Sequence, residues 1–143
     1  MTGKCSEMKR FLSVCFSARL SCKALGLRYT RRVVQSVTPQ QAFELISKGD
    51  VEVIDVREPH EWQTGHLATA RLVPLATFRK NPKAALSQDG VVFVCAAGVR
   101  SDAAARLAAS LGFERVYNLS GGTRAWVKAG LPLETERTVS AAE

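Results

Sequence analysis

Residues 91–101 read VVFVCAAGVRS, and this stretch decides the fold of the 143-residue chain. Four consecutive apolar residues, three of them β-branched, are typical of a strand that is buried on both faces of a parallel sheet. A short loop then leads from Cys95 into an alanine-rich segment, which predicts a helix over residues 101–111 that ends at Gly112. This order of strand, loop and helix predicts an α/β domain.

The segments around this stretch alternate between strand and helix patterns. Residues 38–41, Thr-Pro-Gln-Gln, form a capping box with proline at the first helical position, and Gly49 ends that helix. Strands are predicted at residues 51–56, 71–75 and 116–119, a helix at 75–80, a looser stretch at 81–82, and a short helix after residues 121–122. The alternation predicts one domain with a mostly parallel central sheet and helices on both faces.

Residues 1–33 differ in composition from the rest of the chain. They hold eight of the 20 basic residues and one of the 13 acidic residues, so the net charge of +7 lies there and residues 34–143 are formally neutral. A neutral domain has no excess charge for a polyanion, so no nucleic-acid partner is expected. No apolar run approaches the ~18 residues of a membrane span, so no membrane association is expected either. We therefore divide the chain into a leader, residues 1–33, and a domain, residues 34–143.

The leader has an imperfect amphipathic pattern. Leu12, Phe16 and Leu20 fall on one helical stripe, while Arg19 interrupts the apolar face. A basic, acid-poor segment of this kind is typical of an organelle transit peptide, and a disordered tail is the equally weighted alternative. The first interpretation places the protein in the mitochondrial matrix and the second in the cytoplasm.

The distribution of the four cysteines argues against a disulfide framework. Cys5, Cys15 and Cys22 lie in the leader, and Cys95 is alone in the domain. No Cys-x-x-Cys pair and no histidine at metal-ligand spacing accompanies them. We therefore expect no structural disulfide, no metal ion and no cofactor.

The loop after the central strand has the features of a thiolate site. In an open α/β sheet, ligands bind beyond the carboxyl ends of the strands, which is where Cys95 is expected. The loop can direct successive backbone N–H groups inward, Gly98 gives the required backbone freedom, and Arg100 adds a permanent cation. These features would lower the pKa of the thiol and hold a sulfur anion. A lone cysteine after an apolar strand is more often a small core residue, but the following glycine, arginine and helix favour a functional one.

Four further polar residues of the domain are candidates for a structural or a chemical role. For Asp55 and Arg57 an ion pair that braces the loops is favoured over a chemical role. For His66 a hydrogen-bonded structural role is favoured over acid–base catalysis. Ser101 either donates a hydrogen bond to the sulfur or caps the helix, and the sequence leaves both open.

Several motifs in order resemble the single-domain rhodanese family. The segment CAAGVRS at residues 95–101 is similar to the family's active-site loop, and DVRE at 55–58 and GHL at 65–67 are similar to its upstream signatures. VYNLSGG at 116–122 and AGLP at 129–132 resemble its closing segment, so the likeness covers about residues 36–134. Ala68-Thr69 stands where the family usually has Pro-Gly, and Thr123 replaces a usual aliphatic residue; these departures concern local turn geometry only.

The resemblance implies a sulfurtransferase in which Cys95 is the catalytic nucleophile and carries sulfur as a persulfide. It implies that the rest of the loop binds the substrate, with Asp55 and Arg57 in supporting positions. The implied substrates are a small sulfur-containing anion such as thiosulfate and a thiol acceptor, which can be a protein. The substrate-binding residues are Ala96, Ala97, Gly98, Val99, Arg100 and Ser101.

Three alternatives remain beside this hypothesis. A persulfide carrier that passes sulfur to a partner protein would use the same chemistry. A cysteine-dependent phosphatase of related fold would carry Cys-x5-Arg, whereas residues 95–100 give Cys-x4-Arg, a smaller cradle. A sensor or docking module of this fold would typically lack the cysteine, which is intact here.

Overall fold

The computed structural model of the protein describes residues 33–135. Five parallel strands form one sheet in the order β1-β5-β4-β2-β3, so the strand predicted to be central is the third of the five. The strands are β1 (Gln35–Val37), β2 (Glu52–Asp55), β3 (Ala70–Leu72), β4 (Val91–Val94) and β5 (Val116–Leu119). The helices are α1 (Pro39–Lys48), α2 (Pro59–Trp62), α3 (Leu75–Lys80), α4 (Pro82–Ala85), α5 (Val99–Ser110) and α6 (Gly122–Lys128).

The sheet separates two hydrophobic cores, which confirms the predicted layers. Along β4, Val91 and Phe93 pack into the core that contains Phe78 of α3 and the alanines of α5. Val92 and Val94 pack into the opposite core with Trp126 of α6 and Ala42 of α1. A strand with both faces covered must be apolar at every position, and this requirement accounts for the sequence pattern at residues 91–94.

The ends of α1 follow the predicted local signals. Thr38 Oγ1 accepts a hydrogen bond from the backbone N–H of Gln41, and Gln41 Oε1 accepts one from the N–H of Thr38. Gly49 ends the helix in the left-handed conformation, with φ of +76°. The helix at residues 75–80 is also where the sequence predicts it.

Several predicted boundaries are wrong. The strand predicted at residues 71–75 is Ala70–Leu72, because Pro74 lacks the N–H that a ladder requires. The stretch at 81–82 does not stay loose, since Pro82 starts the short helix α4 as its first residue. The helix predicted over 101–111 begins at Val99, directly after Gly98.

Two short elements, β1 and α2, have no counterpart in the prediction. Strand β1 is three residues long and mostly exposed, so it lacks an apolar pattern. Helix α2 is four residues long and follows Glu58, its N-cap. Both are too short for a periodic signal.

The predicted leader lies, apart from Val33, outside the described residues, as do Cys5, Cys15 and Cys22. The division of the chain at residue 34 therefore stays a prediction. Over residues 33–135 we find no helix with the length and apolar character needed to cross a membrane.

Candidate active site

Cys95 directly follows β4 at the carboxyl edge of the sheet. Its thiol is free, and the residue is only 1% exposed to solvent. The carboxyl ends of the neighbouring strands β2 and β5 lead to Arg57 and to Gly121 at the same edge. A reactant must therefore present its reacting atom end-on to reach the sulfur.

Backbone N–H groups of the loop point toward the sulfur. The N–H of Gly98 donates a hydrogen bond to Cys95 Sγ at 3.0 Å. Gly98 is the N-cap of α5 and has φ of +97°, a conformation that glycine adopts readily. A Cβ on Gly98 would also lie 3.1 Å from the backbone nitrogen of Gly121, so the loop is tightly packed against the segment after β5.

Helix α6 holds the loop from the opposite side. The carbonyl oxygen of Cys95 accepts a hydrogen bond from the N–H of Thr123 at 2.8 Å, and that of Ala96 accepts one from Arg124 at 3.2 Å. Because two loop carbonyls are occupied by α6, the loop directs its N–H groups toward the sulfur. A Cβ on Gly122 would lie 2.2 Å from the Cys95 carbonyl oxygen, so this close approach requires glycine.

Ser101 connects the sulfur to β5. Its Oγ lies 3.3 Å from Cys95 Sγ and donates to Asn118 Oδ1 at 2.6 Å. The amide of Asn118 donates in turn to the carbonyl oxygen of Gly98 at 3.2 Å. Of the two roles left open for Ser101, the structure shows the hydrogen bond to sulfur, because the helix cap is Gly98.

The hydrogen bonds around Cys95 favour the thiolate. Burial raises the pKa of the thiol, but the hydroxyl of Ser101 and the N–H groups of Ser101, Ala97 and Gly98 outweigh it. The pKa therefore lies below its ordinary value, so a larger fraction of the thiol is ionised near neutral pH.

Arg100 forms an ion pair that the sequence analysis did not predict. Its Nη1 and Nη2 donate to Oε2 and Oε1 of Glu61 at 2.7 and 2.8 Å. The hydrogen bond to Glu61 is the main cause that raises the pKa of Arg100, and Cys95 contributes less. The guanidinium is thus directed to α2 rather than presented alone beside the thiolate.

Asp55 and Arg57 form a buried pair, in the bracing arrangement that the sequence favoured. Arg57 Nη2 lies 2.7 Å from Asp55 Oδ2, with side chains 4% and 0% exposed. The same guanidinium donates to the carbonyl oxygens of Gly65 and Glu61. It therefore ties the segment after β2 to the C-terminal part of α2 and to the turn that follows it.

His66 lies away from the sulfur network. Its Nδ1 is 3.2 Å from the carbonyl oxygen of Trp62, and its ring stacks on Trp62 at 3.7 Å between centroids. These contacts agree with a structural histidine. The two departures from the family pattern also fit locally: Ala68-Thr69 lies in a turn, and Thr123 is buried with its N–H bonded to the loop.

The structure brings together Cys95, Gly98, Ser101 and the N–H of Ala97 around the sulfur. Ala97 and Val99 are exposed at the rim of the loop, where Val99 is 76% exposed. The sequence analysis missed Glu61 and Asn118. Asn118 had a detectable signal, since it is an amide within the predicted strand Val-Tyr-Asn-Leu and the structure buries it, whereas nothing local distinguishes Glu61.

The chain is similar in sequence and in fold to several known proteins. A family model described as the rhodanese-like domain matches residues 38–129. The thiosulfate sulfurtransferase GlpE of Actinobacillus pleuropneumoniae serotype 7 is 30% identical over 99 residues, which cover 69% of this chain and 92% of that protein. A crystal structure of a rhodanese-related protein from Thermoplasma volcanium has 32% identity and a TM-score of 0.64, covering 71% of this chain and 99% of that one. A Rhodopseudomonas palustris protein of unknown function, described as a possible tyrosine phosphatase, has 29% identity and a TM-score of 0.64, covering 71% and 85%.

Proposed function

Since the chain belongs to the rhodanese-like domain family, we propose that it transfers sulfane sulfur from a donor such as thiosulfate to a thiophilic acceptor. In this proposal Cys95 is the nucleophile and carries the sulfur as a persulfide. The observation that carries it is the set of hydrogen-bond donors around Cys95 Sγ, with Gly98 N–H at 3.0 Å and Ser101 Oγ at 3.3 Å. The same donors that favour a thiolate would also stabilise a persulfide anion.

The first half-reaction loads the enzyme. The Cys95 thiolate attacks the outer sulfur of thiosulfate, a new S–S bond forms, and the original S–S bond breaks. Sulfite leaves with the bonding electron pair, and Cys95 persulfide anion remains. Charge is conserved because a thiolate and a dianion become a persulfide anion and a dianion.

The second half-reaction unloads the enzyme. Cyanide or a thiolate attacks the outer sulfur of the persulfide, and thiocyanate or a new persulfide leaves while the Cys95 thiolate is regenerated. Each half-reaction exchanges one S–S or S–C bond for another, so no oxidant or proton shuttle is required. The scheme predicts ping-pong kinetics.

The burial of Cys95 supports this choice over a phosphatase. A residue that is 1% exposed suits a terminal sulfur that enters end-on. A phosphate ester has a broad tetrahedral group and needs a wider cradle than the loop of residues 95–100. A persulfide carrier would use the same chemistry and would differ only in the acceptor. In that case the acceptor of the second half-reaction is a thiol of a partner protein.

The proposal is tested by intact-mass and peptide mass spectrometry after incubation of the full chain with thiosulfate. The wild type should gain one sulfur atom on Cys95, and C95S should gain none. A matched control replaces Cys5, Cys15 and Cys22 with serine and should still be labelled, because Cys95 and its hydrogen-bonded loop are intact in it.

Thiosulfate:cyanide transfer and aryl phosphate hydrolysis are then measured on the same proteins. The wild type should hydrolyse aryl phosphates no faster than C95S does. Sulfur transfer that persists in C95S, or Cys95-dependent phosphatase activity comparable with sulfur transfer, would refute the proposal.

A further inference from the structure

Asn118 is a buried amide of β5 whose side chain contacts the active-site loop at two points. Its Nδ2 donates to the carbonyl oxygen of Gly98 at 3.2 Å. Since a carbonyl oxygen can only accept, the other amide atom, Oδ1, must face Ser101, whose Oγ lies 2.6 Å away. The Ser101 hydroxyl is therefore the donor in this contact, and Asn118 is its acceptor.

The sulfur of Cys95 is a second acceptor for the same hydroxyl. Ser101 Oγ lies 3.3 Å from Cys95 Sγ. A hydroxyl group has one proton, so it donates fully to one of its two neighbours at a time. Ser101 is fully buried and Asn118 is 6% exposed, so bulk water does not replace either neighbour.

The charge on the sulfur decides which acceptor is the stronger one. Hydrogen bonds to an ionised group are stronger than those between neutral groups, so a thiolate at Sγ draws the hydroxyl proton. A thiol or a sulfur bonded to another sulfur is a weak acceptor. The amide oxygen of Asn118 is then the better acceptor, and it is the nearer one.

We infer that Asn118 is a positioning residue that accepts the hydrogen bond of the Ser101 hydroxyl whenever Cys95 Sγ is uncharged and releases it to Sγ whenever the sulfur is a thiolate. This inference rests on the proposed function, in which Sγ is a thiolate in the free enzyme and an uncharged, bonded sulfur in the persulfide. The hydroxyl therefore changes its acceptor in each half-reaction. Its proton stays bonded to Oγ throughout, so no proton is transferred.

Asn118 and Ser101 thus stabilise opposite forms of the site. Burial raises the pKa of the Cys95 thiol, and the Ser101 hydroxyl is the largest of the effects that lower it. Asn118 favours the thiol and the persulfide instead, because without it the buried hydroxyl has no strong acceptor in those forms. An apolar replacement of Asn118 leaves the Gly98 carbonyl with its second donor, the N–H of Asp102 at 3.2 Å.

The charged side chains around the loop do not account for this relationship. Arg100 is held by Glu61, and Arg57 is paired with the buried Asp55. Arg124 is exposed on α6, where its backbone N–H binds the loop. All five groups are the same in every variant of the test below, so a difference between variants reports on the hydroxyl and its acceptors.

The first measurement follows iodoacetamide alkylation against pH. It uses the full chain with the three leader cysteines replaced by serine, so that Cys95 is the only thiol. The midpoint of the profile should move to lower pH in N118L and in N118V, because the hydroxyl is released to the sulfur. It should move to higher pH in S101A, and S101A/N118L should behave like S101A. General loosening of the loop would weaken the thiolate and move the midpoint upward, so the direction separates the two causes.

The second measurement follows the loading equilibrium on the same proteins. Each is mixed with thiosulfate and sulfite at known ratios, at a pH above all the alkylation midpoints, and the loaded fraction is read by intact mass. The equilibrium constant for loading should fall roughly three- to tenfold in N118L, which corresponds to one neutral hydrogen bond. It should rise in S101A and stay at the S101A value in the double variant. Y117L changes the neighbouring side chain of β5, which packs on the opposite core, and should match the wild type.

The outcomes distinguish this inference from the proposed function. An alkylation midpoint that stays in place or rises in both N118L and N118V would overturn the inference alone. A loading equilibrium that is the same in N118L as in the wild type would overturn it too, since the hydroxyl would then keep an acceptor in the persulfide without Asn118. If thiosulfate loads no sulfur on Cys95 of the otherwise unchanged chain, the proposed function fails and the inference with it.

Discussion

Ser101 Oγ lies 2.6 Å from Asn118 Oδ1 and 3.3 Å from Cys95 Sγ, so a single hydroxyl proton serves two acceptors. Donation to Asn118 is the shorter contact, and this amide also holds the Gly98 carbonyl. When the sulfur is ionised, it becomes the stronger acceptor and draws the hydroxyl proton toward it. Strand β5 thereby supports the group that stabilises the thiolate.

Ser101→Ala should raise the pKa of Cys95. Its hydroxyl is the largest of the contributions that lower the pKa of the thiol, while burial continues to raise it. The rate of iodoacetamide alkylation should therefore fall near neutral pH and recover at alkaline pH, so its profile moves to higher pH. Ser110→Ala is the matched control. Ser110 lies at the other end of α5, and its hydroxyl donates to the backbone carbonyl oxygen of Leu107. If the pH profile of alkylation is the same in S101A as in the wild type, the Ser101 hydroxyl does not stabilise the Cys95 thiolate.

Gly122→Ala should disrupt the contact between α6 and the loop. The new Cβ would lie 2.2 Å from the carbonyl oxygen of Cys95 and 2.5 Å from the carbonyl carbon of Ala96, both of which are backbone atoms. The left-handed conformation adds its own cost, and we expect a loss of roughly 3 kcal/mol or more in the free energy of unfolding. Sulfur transfer should fall with it.

Gly130→Ala provides the control for that variant. Gly130 has φ of +76° and no atom within 4 Å of the added Cβ, so it reports the backbone cost alone. Its destabilisation should be about 1–2 kcal/mol. Urea unfolding of both variants measures the difference, and equal losses would mean that the loop tolerates the Cβ at Gly122.

Arg57→Met should be strongly destabilising. It leaves Asp55, which is fully buried, without its cation, and it removes the hydrogen bonds to the carbonyls of Gly65 and Glu61. Breaking a buried pair in this way costs about 3–5 kcal/mol. Combining it with Asp55→Asn should recover part of the loss, because the uncompensated charge is gone.

Arg106→Met is the surface counterpart of Arg57→Met. Arg106 and Asp102 form an exposed pair along α5, and such a pair contributes ~1 kcal/mol or less. Urea unfolding of R57M, D55N/R57M and R106M measures the loss in the free energy of unfolding for each variant, and R57M should show the largest loss. A loss for R57M as small as that for R106M would show that the buried pair does not brace the loops.

The sequence predicted the parts of the site that depend on local order. The apolar run before Cys95, the glycine three residues later and the helix that follows are encoded within eleven residues, and the structure has them in that arrangement. The predicted helix start was wrong because a serine is a good N-cap, whereas the side chain of Ser101 turns to the sulfur and Gly98 takes the cap.

The residues that escaped prediction act over long distances in sequence. Glu61 meets Arg100 across 39 residues, and Asn118 meets Ser101 across 17. Which carboxylate reaches a given arginine depends on the order of strands in the sheet and on a four-residue helix, neither of which leaves a periodic pattern. The expected lone cation beside Cys95 is therefore a paired one.

A chain that begins at Val34 should fold and transfer sulfur as the full chain does. Residues 38–129 match the rhodanese-like domain, and both hydrophobic cores are built from residues between Val34 and Leu133. Differential scanning calorimetry should give the same melting temperature for both chains. A clear fall for the shorter chain would mean that residues before Val34 contribute to the stability of the domain.

Glu61 should make the stability of the protein depend on acidity. Hydrogen bonds from Arg100 are the main reason why its pKa falls from 4.5 to about 2. A carboxyl group whose pKa is lower in the folded state stabilises that state when ionised. Its contribution is therefore complete above about pH 4.5 and is lost as the pH falls toward 2.

The comparison of wild type with E61Q isolates this contribution. Above pH 5 the wild type should be more stable by ~1 kcal/mol or less, since the pair is partly exposed and screened by solvent. The difference should shrink as the pH falls from 4.5 to 2, and 1 M salt should reduce it at every pH. Urea unfolding at a series of pH values measures it, with E44Q as the control, because Glu44 is an exposed carboxylate on α1. A difference that is constant with pH would show that Glu61 stabilises the fold by packing rather than by its charge.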